Sequence, residues 1–168
     1  MDTTDDDPRF LCDSMLGGLA RKLRLAGYDA TFAGPIDDGA LVADAAASGA
    51  ILLSSDGPLF ERRVLREGIV RSLYVPRVSP MEQASFVLEA LSLPILEPRC
   101  LACGGSVVDI AKEAVRDRVP FHSYRCFDAF FTCERCHRVF WQGSHWESIE
   151  ASHRELTQKR ASKLAEQG

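Results

Sequence analysis

The fold is decided by residues 10–29, which have the sequence FLCDSMLGGLARKLRLAGYD. The short apolar run 9–12 predicts a β-strand that ends at Asp13. From Ser14 onward the apolar residues recur at helical spacing, and Gly27 provides a suitable C-cap, so this segment predicts one amphipathic helix. A strand followed directly by a helix is the first half of a βαβ unit, whose next strand is expected to pair parallel to the first.

The same alternation continues to residue 93. Apolar runs predict strands at 29–33, 50–54 and 70–75, and capping signals predict helices at 39–48, after Asp56-Gly57-Pro58 and after Ser79-Pro80. The order βαβαβαβα predicts an α/β domain with a parallel sheet and helices on both faces. We therefore divide the chain into an acidic tail (1–8), an α/β domain (9–93), a linker (94–99), a cysteine module (100–147) and a helical tail (148–168).

Charge and hydropathy exclude several classes of protein. The 168 residues have a net charge of −4, and four of the acids lie in the tail 1–8. Because this tail has no basic residue and no apolar anchor after Met1, we expect it to be disordered and not a signal peptide. Neither 9–98 nor 99–168 has the strong positive charge typical of tight nonspecific nucleic-acid binders. No apolar run approaches the roughly 18 residues that span a bilayer, so we expect a cytoplasmic protein that does not associate with membranes.

The C-terminal part contains two C-x-x-C pairs, separated by 29 residues: Cys100 with Cys103, and Cys133 with Cys136. Such spacing lets two thiolates of one turn bind the same ion, which in a reducing compartment favours a four-cysteine zinc site over disulfides or buried thiols. Gly104 permits the tight turn after the first pair. Four thiolates complete a tetrahedron, so the zinc would be structural, with His137 only a competing ligand. We expect Cys12 and Cys126 to be buried apolar fillers.

Four acidic residues are predicted to follow strands of the parallel sheet: Asp13, Asp37, Asp38 and Asp56. The carboxyl ends of parallel strands share one edge of a sheet, so these carboxylates could converge there. Converging carboxylates repel one another unless a cation neutralises them, and oxygen ligands suit Mg²⁺ or Mn²⁺. Alternatively, each aspartate could simply cap a helix. This explanation is weaker for Asp13, because Ser14 could cap the first helix equally well.

Three basic residues lie on the predicted first helix, outside its apolar stripe: Arg21, Lys22 and Arg24. They could bind the phosphates of a substrate, or they could form a solvated face, which is the commoner outcome. The sequence contains neither a G-x-G-x-x-G motif after the first strand nor a G-x-x-x-x-G-K-[ST] motif. A nucleotide cofactor is therefore not predicted.

These residues together resemble the Mut-seven C-terminal ribonuclease domain family, which has a PIN-like nuclease fold followed by a zinc ribbon. The resemblance is carried by residues 10–29, by ILLSSD at 51–56, by the two cysteine pairs and by WQGSHW at 141–146. It covers residues 9–147. The resemblance implies that 9–93 is a PIN-like nuclease domain, that 100–147 is a zinc ribbon, and that RNA is the substrate.

The wider PIN fold implies roles for individual acids. The spacing from Asp38 through Ser54 to Asp56 is similar to that of PIN toxins. By this resemblance Asp13, Asp38 and Asp56 are the catalytic residues of a Mg²⁺ or Mn²⁺ site, with Asp37 as a close alternative to Asp38. PIN enzymes usually have a further acid on a helix between the first and the third. Here only Asp29 lies between Asp13 and Asp37, at the start of a predicted strand.

Three functions are consistent with the sequence. The first is a metal-dependent ribonuclease, whose ribbon is a candidate for helping to bind the substrate. The second is a PIN-like module that has lost catalysis and binds RNA or a protein, which the absence of the helix acid favours. The third and weakest is a metal-dependent phosphatase of small substrates. The sequence does not identify a protein partner.

Overall fold

The computed structural model describes residues 7–166, apart from the side chains at positions 144, 145, 163, 164 and 166. It contains a four-stranded sheet in the first part of the chain and a three-stranded sheet in the cysteine module. Most of the predicted disordered tail, residues 1–6, lies outside the described residues. Among the helices of the described part, none has the length and apolar character needed to cross a membrane.

The first sheet is parallel, with the strand order β2-β1-β3-β4. Its strands are β1 (Phe10–Cys12), β2 (Ala30–Phe32), β3 (Ile51–Ser54) and β4 (Ser72–Tyr74). Phe10 of β1 aligns with Ala30 of β2 on one side and with Ile51 of β3 on the other. The predicted α/β architecture is confirmed. All four strands end at the same side of the sheet, here called the carboxyl edge, and begin at the opposite side, the amino edge.

Helices cover both faces of this sheet: α1 (Gly17–Leu25), α2 (Asp38–Ser48), α3 (Arg63–Arg66) and α4 (Pro80–Ala90). Neighbouring strand residues point to opposite faces. Phe10 and Leu53 belong to the core cluster formed with α1 and α4, whereas Leu11 and Leu52 belong to the cluster formed with α2 and α3. The central strands are therefore apolar on both faces, as expected for a parallel sheet between two helical layers.

The predicted helix after Asp56 is split in the structure. A 3₁₀ turn, Pro58–Glu61, is followed by the four-residue α3. Arg62 between them has an extended backbone (φ −62°, ψ 131°), which interrupts the series of helical hydrogen bonds. The segment still buries Leu59 and Leu65 against the sheet. It therefore covers its face without forming one continuous helix.

The cysteine module, called the ribbon below, contains an antiparallel sheet of β5 (Val107–Ile110), β6 (Phe130–Cys133) and β7 (Val139–Trp141). The long connection between β5 and β6 includes a 3₁₀ turn, Lys112–Val115, and α5 (Phe121–Cys126). Val115, Val119 and Phe130 form its small core. With so few buried apolar residues, the ribbon is expected to depend on its cysteines for much of its stability.

The ribbon is docked at the amino edge of the parallel sheet. Arg135 of the ribbon forms an ion pair of 2.5 Å with Asp29, the residue that precedes β2. Gly104 has φ +82°, and a Cβ on it would lie 2.7 Å from the Asp29 carboxylate, so this close approach requires glycine. Because β2 begins here, the ribbon and the carboxyl edge lie at opposite ends of the strands.

The last helix, α6 (Ser144–Glu166), leaves the ribbon and returns to the α/β domain. It begins ahead of residue 148, where the sequence predicted its start. Leu156 is fully buried in the core cluster of α1 and α4. His153 Nε2 lies 3.0 Å from the Leu96 carbonyl oxygen, and Arg160 donates to the Leu93 carbonyl. The ribbon is therefore joined to the α/β domain on both sides, by segment 94–99 before it and by α6 after it.

Candidate active site and metal centre

Asp13 lies at the carboxyl edge, where the central strand β1 leaves the sheet. Its Oδ1 accepts a hydrogen bond of 2.5 Å from the Ser14 N–H, and its Oδ2 accepts one of 2.6 Å from the Ser54 hydroxyl. Asp13, and not Ser14, therefore caps the 3₁₀ turn that precedes α1. Hydrogen bonds therefore hold both carboxylate oxygens in place. Asp13 has a structural role as a cap, although the sequence made capping by Asp13 the weaker explanation.

Ser54, the last residue of β3, connects Asp13 with Asp56. Its side chain is fully buried, and its Oγ also accepts a 3.0 Å hydrogen bond from the Asp56 N–H. The Asp56 carboxylate makes no hydrogen bond or ion pair with any described residue, and it does not cap the 3₁₀ turn that follows. In the sequence, Ser54 is only one position of a spacing pattern, which does not reveal this connecting role.

Asp37 and Asp38 have different partners at the start of α2. Asp37 is the N-cap, and its Oδ1 accepts hydrogen bonds from the N–H groups of Gly39 (2.8 Å) and Ala40 (3.1 Å). Asp38 is the first helical residue, and its carboxylate lies 3.5 Å from the Arg62 guanidinium in an exposed ion pair. The Asp37 carboxylate is therefore engaged in capping α2, whereas the Asp38 carboxylate makes one weak, exposed contact.

The aspartates share the carboxyl edge, but their oxygens are not gathered around one point. Within the part of the chain that the structure describes, only the four ribbon cysteines bring three or more potential ligand atoms within 4.8 Å of one another. Carboxylates repel one another, and Arg62 offers Asp38 a different partner. Asp29 does not belong to this group, because it lies at the amino edge and is bound by Arg135.

The carboxyl edge also carries exposed apolar and basic side chains that the sequence analysis missed. Phe32 at the end of β2 and Tyr74 at the end of β4 are 47% and 46% exposed. Further exposed apolar residues near this edge are Met15, Ile36 and Val78. Arg77, just after β4, donates to the Ser55 carbonyl at 3.4 Å. Because Phe32 and Tyr74 belong to strands, the sequence suggests that both are buried in the core. Only the sheet topology shows that they belong to outer strands and that their side chains are exposed.

The three basic residues of α1 have different environments. Arg24 donates from Nε to the Ala30 carbonyl (2.7 Å) and from Nη1 to the carbonyls of Leu101 (2.9 Å) and Ala102 (3.1 Å). Its guanidinium therefore joins the domain to the ribbon, a structural role that the sequence analysis did not foresee. The side chains of Arg21 and Lys22 make no hydrogen bond or ion pair with the other described residues.

The four cysteines form the second candidate site, and their geometry fits a metal ion. Cys100 Sγ lies 3.7 Å from Cys136 Sγ, and Cys103 Sγ lies 3.5 Å from Cys133 Sγ. A tetrahedral ion about 2.3 Å from each thiolate needs sulfur separations of about 3.8 Å. The quartet can therefore hold a metal ion, and its ligand set is consistent with zinc. A site closed by four thiolates is structural, because it leaves no position for a substrate.

Backbone N–H groups donate to sulfur atoms of the quartet, among them Cys103, which accepts from Gly105, and Cys133. The N–H groups of Arg135 and Cys136 point to Cys133 Sγ, with N–S distances of 3.4 Å and 3.5 Å. Burial alone would raise the pKa of the Cys133 thiol, but these donors and the neighbouring thiols lower it to about 7. Burial raises the pKa of Cys100 to about 12. An ion bound by the quartet must therefore displace the protons that remain on these thiols.

The remaining thiols only partly follow the prediction. Cys12 is fully buried in β1, as expected for an apolar filler. Cys126 is exposed, so its prediction as a buried filler is wrong. It belongs to α5, which has no buried residue, and its Sγ lies 3.6 Å from Nε2 of His122. His137 is not part of the ligand group, which consists of the four cysteines.

The fold and the two sites define an α/β protein with acids at the carboxyl edge of a parallel sheet, joined to a four-cysteine ribbon that can hold a metal ion. More specifically, the chain belongs to the Mut7-C RNAse domain family, whose model matches residues 8–153. This confirms the family resemblance noted in the sequence.

Among curated proteins, the exonuclease mut-7 homolog of Homo sapiens is 30% identical to this chain over 159 residues. The match covers 91% of this chain but only 16% of that protein, so the chain spans a small part of the relative's length. No solved structure gives a significant match. The family and the relative together support a nuclease-like role.

Proposed function

We propose that this chain is a metal-dependent ribonuclease that hydrolyses RNA phosphodiester bonds at the carboxyl edge, where Asp13, Asp38 and Asp56 bind Mg²⁺ or Mn²⁺. The observation that carries the proposal is the hydrogen-bonded link from Asp13 through Ser54 to Asp56, in a chain of the Mut7-C RNAse domain family. A cation bound there would activate water and stabilise the negative charge that develops on the phosphodiester.

The three aspartates would contribute differently. Asp13 is already oriented by Ser14 and Ser54. Asp56 is fixed through its backbone, while its carboxylate is free to turn toward a cation. Asp38 would exchange its exposed contact with Arg62 for the cation. Asp37 is the less suitable alternative, because a cation would compete with the helix cap that Asp37 provides.

The arrangement of the edge suits unpaired RNA. In the strand order β2-β1-β3-β4, Phe32 ends one outer strand and Tyr74 ends the other, with Asp13 and Asp56 between them. Exposed aromatic rings on both sides of the acids can stack with bases. Arg77 contacts Ser55 and Arg62 contacts Asp38, so both guanidiniums are candidates for binding phosphates at the edge. Arg21 and Lys22 are further candidates along α1.

The ribbon quartet is proposed to bind one structural zinc ion. Four sulfur ligands favour zinc over Mg²⁺ or Mn²⁺, which prefer the carboxylate oxygens of the carboxyl edge. A reducing compartment such as the cytoplasm would keep the six thiols free to serve this purpose.

The test is cleavage of a labelled single-stranded RNA with and without Mn²⁺, using wild type and the Asn variant of each proposed ligand. Asp117→Asn is the matched control, since Asp117 is exposed in the ribbon, far in sequence from the carboxyl edge. Equal cleavage by wild type and Asp13→Asn would place the activity elsewhere or in a contaminant. Hydrolysis of a small phosphate ester without cleavage of RNA would favour the phosphatase alternative.

The second candidate function is a PIN-like binding module without catalysis. Its specific support is Asp29, the only acid between Asp13 and Asp37, which is engaged with Arg135 at the amino edge. If no RNA is cleaved under any divalent cation while RNA or a protein is bound, this second function replaces the first.

A further inference from the structure

A cleft of about 660 Å³ lies between α1, the ribbon sheet and α6. Arg21 contributes from α1, residues 97–102 contribute from the connection into the ribbon, and several residues of 146–154 contribute from α6. This volume is within the range of pockets that hold small organic ligands. A cleft of this volume is large enough for individual unpaired nucleotides.

One wall of the cleft is aromatic. Phe131 of β6 and Phe140 of β7 are cross-strand partners that line it. Their neighbours Phe130 and Trp141 are part of the ribbon core on the other face of the sheet. Trp146 from α6 stacks on Phe131, with ring centroids 5.3 Å apart and planes 17° from parallel. The three cleft aromatics are partly exposed, so they form a stacking surface that the ribbon core does not use.

The charged lining of the cleft is mainly basic, with four arginines and two glutamates: Arg21, Arg99, Arg138, Arg154, Glu97 and Glu150. Arg99 is used internally, since it donates to the Gly104 carbonyl (2.6 Å) and the Ser106 hydroxyl (3.1 Å). Glu150 accepts from the indole N–H of Trp146 at 2.8 Å and so holds the ring. The other three guanidiniums make no hydrogen bond or ion pair with the described residues.

We propose that this cleft binds a short stretch of single-stranded RNA. Bases would stack on Phe131, Phe140 and Trp146, and phosphates would contact the free guanidiniums of Arg138, Arg154 and Arg21. The choice of RNA over another single strand rests on the proposed ribonuclease function. An acidic peptide could neutralise the arginines, but it would leave the aromatic wall without stacking partners, so the combined chemistry favours a nucleic acid.

The position of the cleft separates binding from cleavage. The ribbon is docked at the amino edge, whereas Asp13 lies at the carboxyl edge. Arg21 lies on α1 between the two, four residues after Gly17, the first residue of α1. At about 1.5 Å per residue this is roughly 6 Å along the helix axis. RNA that leaves the cleft past Arg21 would follow α1 toward Asp13, so the cleft would increase affinity without taking part in the chemistry.

The experiment is a fluorescence anisotropy titration of the full chain with a labelled single-stranded RNA decamer and with the corresponding duplex, without added Mg²⁺ or Mn²⁺. The cleft variants are Trp146→Ala and Arg138→Gln. Two matched controls, Phe121→Ala and Arg116→Gln, change exposed residues of the ribbon that do not line the cleft. Zinc content and melting temperature establish that each variant is folded.

Trp146→Ala should weaken binding of the single strand roughly tenfold, the effect of losing one stacked base. Arg138→Gln should weaken binding of the single strand less than Trp146→Ala does. It should also reduce the slope of log affinity against log salt concentration by about 1, the value of one phosphate contact. The two controls should bind as wild type. Wild-type affinity in both cleft variants, or a duplex that binds as tightly as the single strand, would overturn the proposal.

The cleft and the ribonuclease proposal can fail separately. If the cleft variants lose binding but wild type cleaves no RNA, the cleft stands and the catalytic proposal falls. If wild type cleaves RNA and the cleft variants keep their affinity, the cleft proposal falls and the carboxyl edge remains the site of cleavage.

Discussion

The two candidate metal sites differ in how completely the fold assembles them. In the ribbon, four sulfur atoms lie within 4.8 Å of one another, whereas the aspartates share an edge without forming such a group within residues 7–166. Each cysteine pair comes from a single turn, so local geometry fixes it. The aspartates come from three separate strand–helix junctions. A site built from local turns can be preassembled, whereas one built by sheet topology needs further adjustment around its ion.

The chemistry of the ligands points the same way. Thiols can remain protonated until an ion displaces their protons, so four of them can lie close together. Carboxylates are ionised at neutral pH and repel one another, and Arg62 already offers Asp38 a partner at 3.5 Å. We therefore expect the ribbon ion to stabilise the fold, and the carboxyl-edge cation to affect activity with little effect on stability.

The largest effect is expected for Cys133→Ser. Loss of this ligand should remove the single zinc ion and unfold the ribbon, because structural zinc contributes about 10–16 kcal/mol in small modules that fold around it. Metal analysis and limited proteolysis of 100–143 measure the two losses. The matched control is Cys126→Ser, which changes an exposed thiol outside the quartet. Full zinc content in Cys133→Ser would show that the ribbon is not a preassembled metal site.

At the carboxyl edge, two substitutions of Asp13 separate catalysis from structure. Asp13→Asn should lower Mn²⁺-dependent cleavage by at least roughly a hundredfold, since changes around metal ligands alone cost 10–100-fold. Its amide oxygen can still accept from the Ser14 N–H, and its amide nitrogen can donate to the Ser54 Oγ, so Ser54 keeps a partner and the melting temperature should hardly change. Asp13→Ala should lose activity and also about 1–3 kcal/mol of stability, because the buried Ser54 side chain loses its hydrogen-bond partner at position 13.

Thermal unfolding and cleavage assays on the same preparations check both expectations. Equal melting temperatures for the Asn and Ala variants would mean that Ser54 does not hold Asp13. A large loss of stability in Asp13→Asn would contradict the expected difference between the two metal sites.

Three features could be predicted from the sequence: the alternation of strands and helices, the grouping of the four cysteines and the edge on which the acids lie. Each of them follows from short-range patterns. Long-range contacts could not. No local pattern shows that Ser54 bridges Asp13 and Asp56, or that Arg24 binds the carbonyls of Leu101 and Ala102. The exposure of Cys126 was missed for the same reason, since burial in a long connection depends on what packs against it.

A smaller effect is expected at the junction between the two regions. Arg24→Gln removes hydrogen bonds to three backbone carbonyls and should lower the free energy of unfolding by about 1–3 kcal/mol. Zinc content should stay at that of wild type, because no cysteine is altered. Arg21→Gln is the matched control on the same helix, and it should leave the melting temperature unchanged. If both variants melt alike, Arg24 does not join the ribbon to the α/β domain.

The smallest effect is expected from a truncation that starts at Arg9. The removed residues contain four acids and no apolar residue after Met1, so we expect a change in stability within about 0.5 kcal/mol. Neither metal site includes a residue of this segment, so zinc content and Mn²⁺-dependent cleavage should also be kept.

RNA binding by the truncated chain should become slightly tighter at low ionic strength, because four negative charges are removed, and this gain should disappear at high salt. Titration of labelled RNA at two salt concentrations measures it. A truncated chain that folds poorly or loses cleavage would show that the acidic segment supports one of the two sites, and comparing its zinc content with its activity would identify which one.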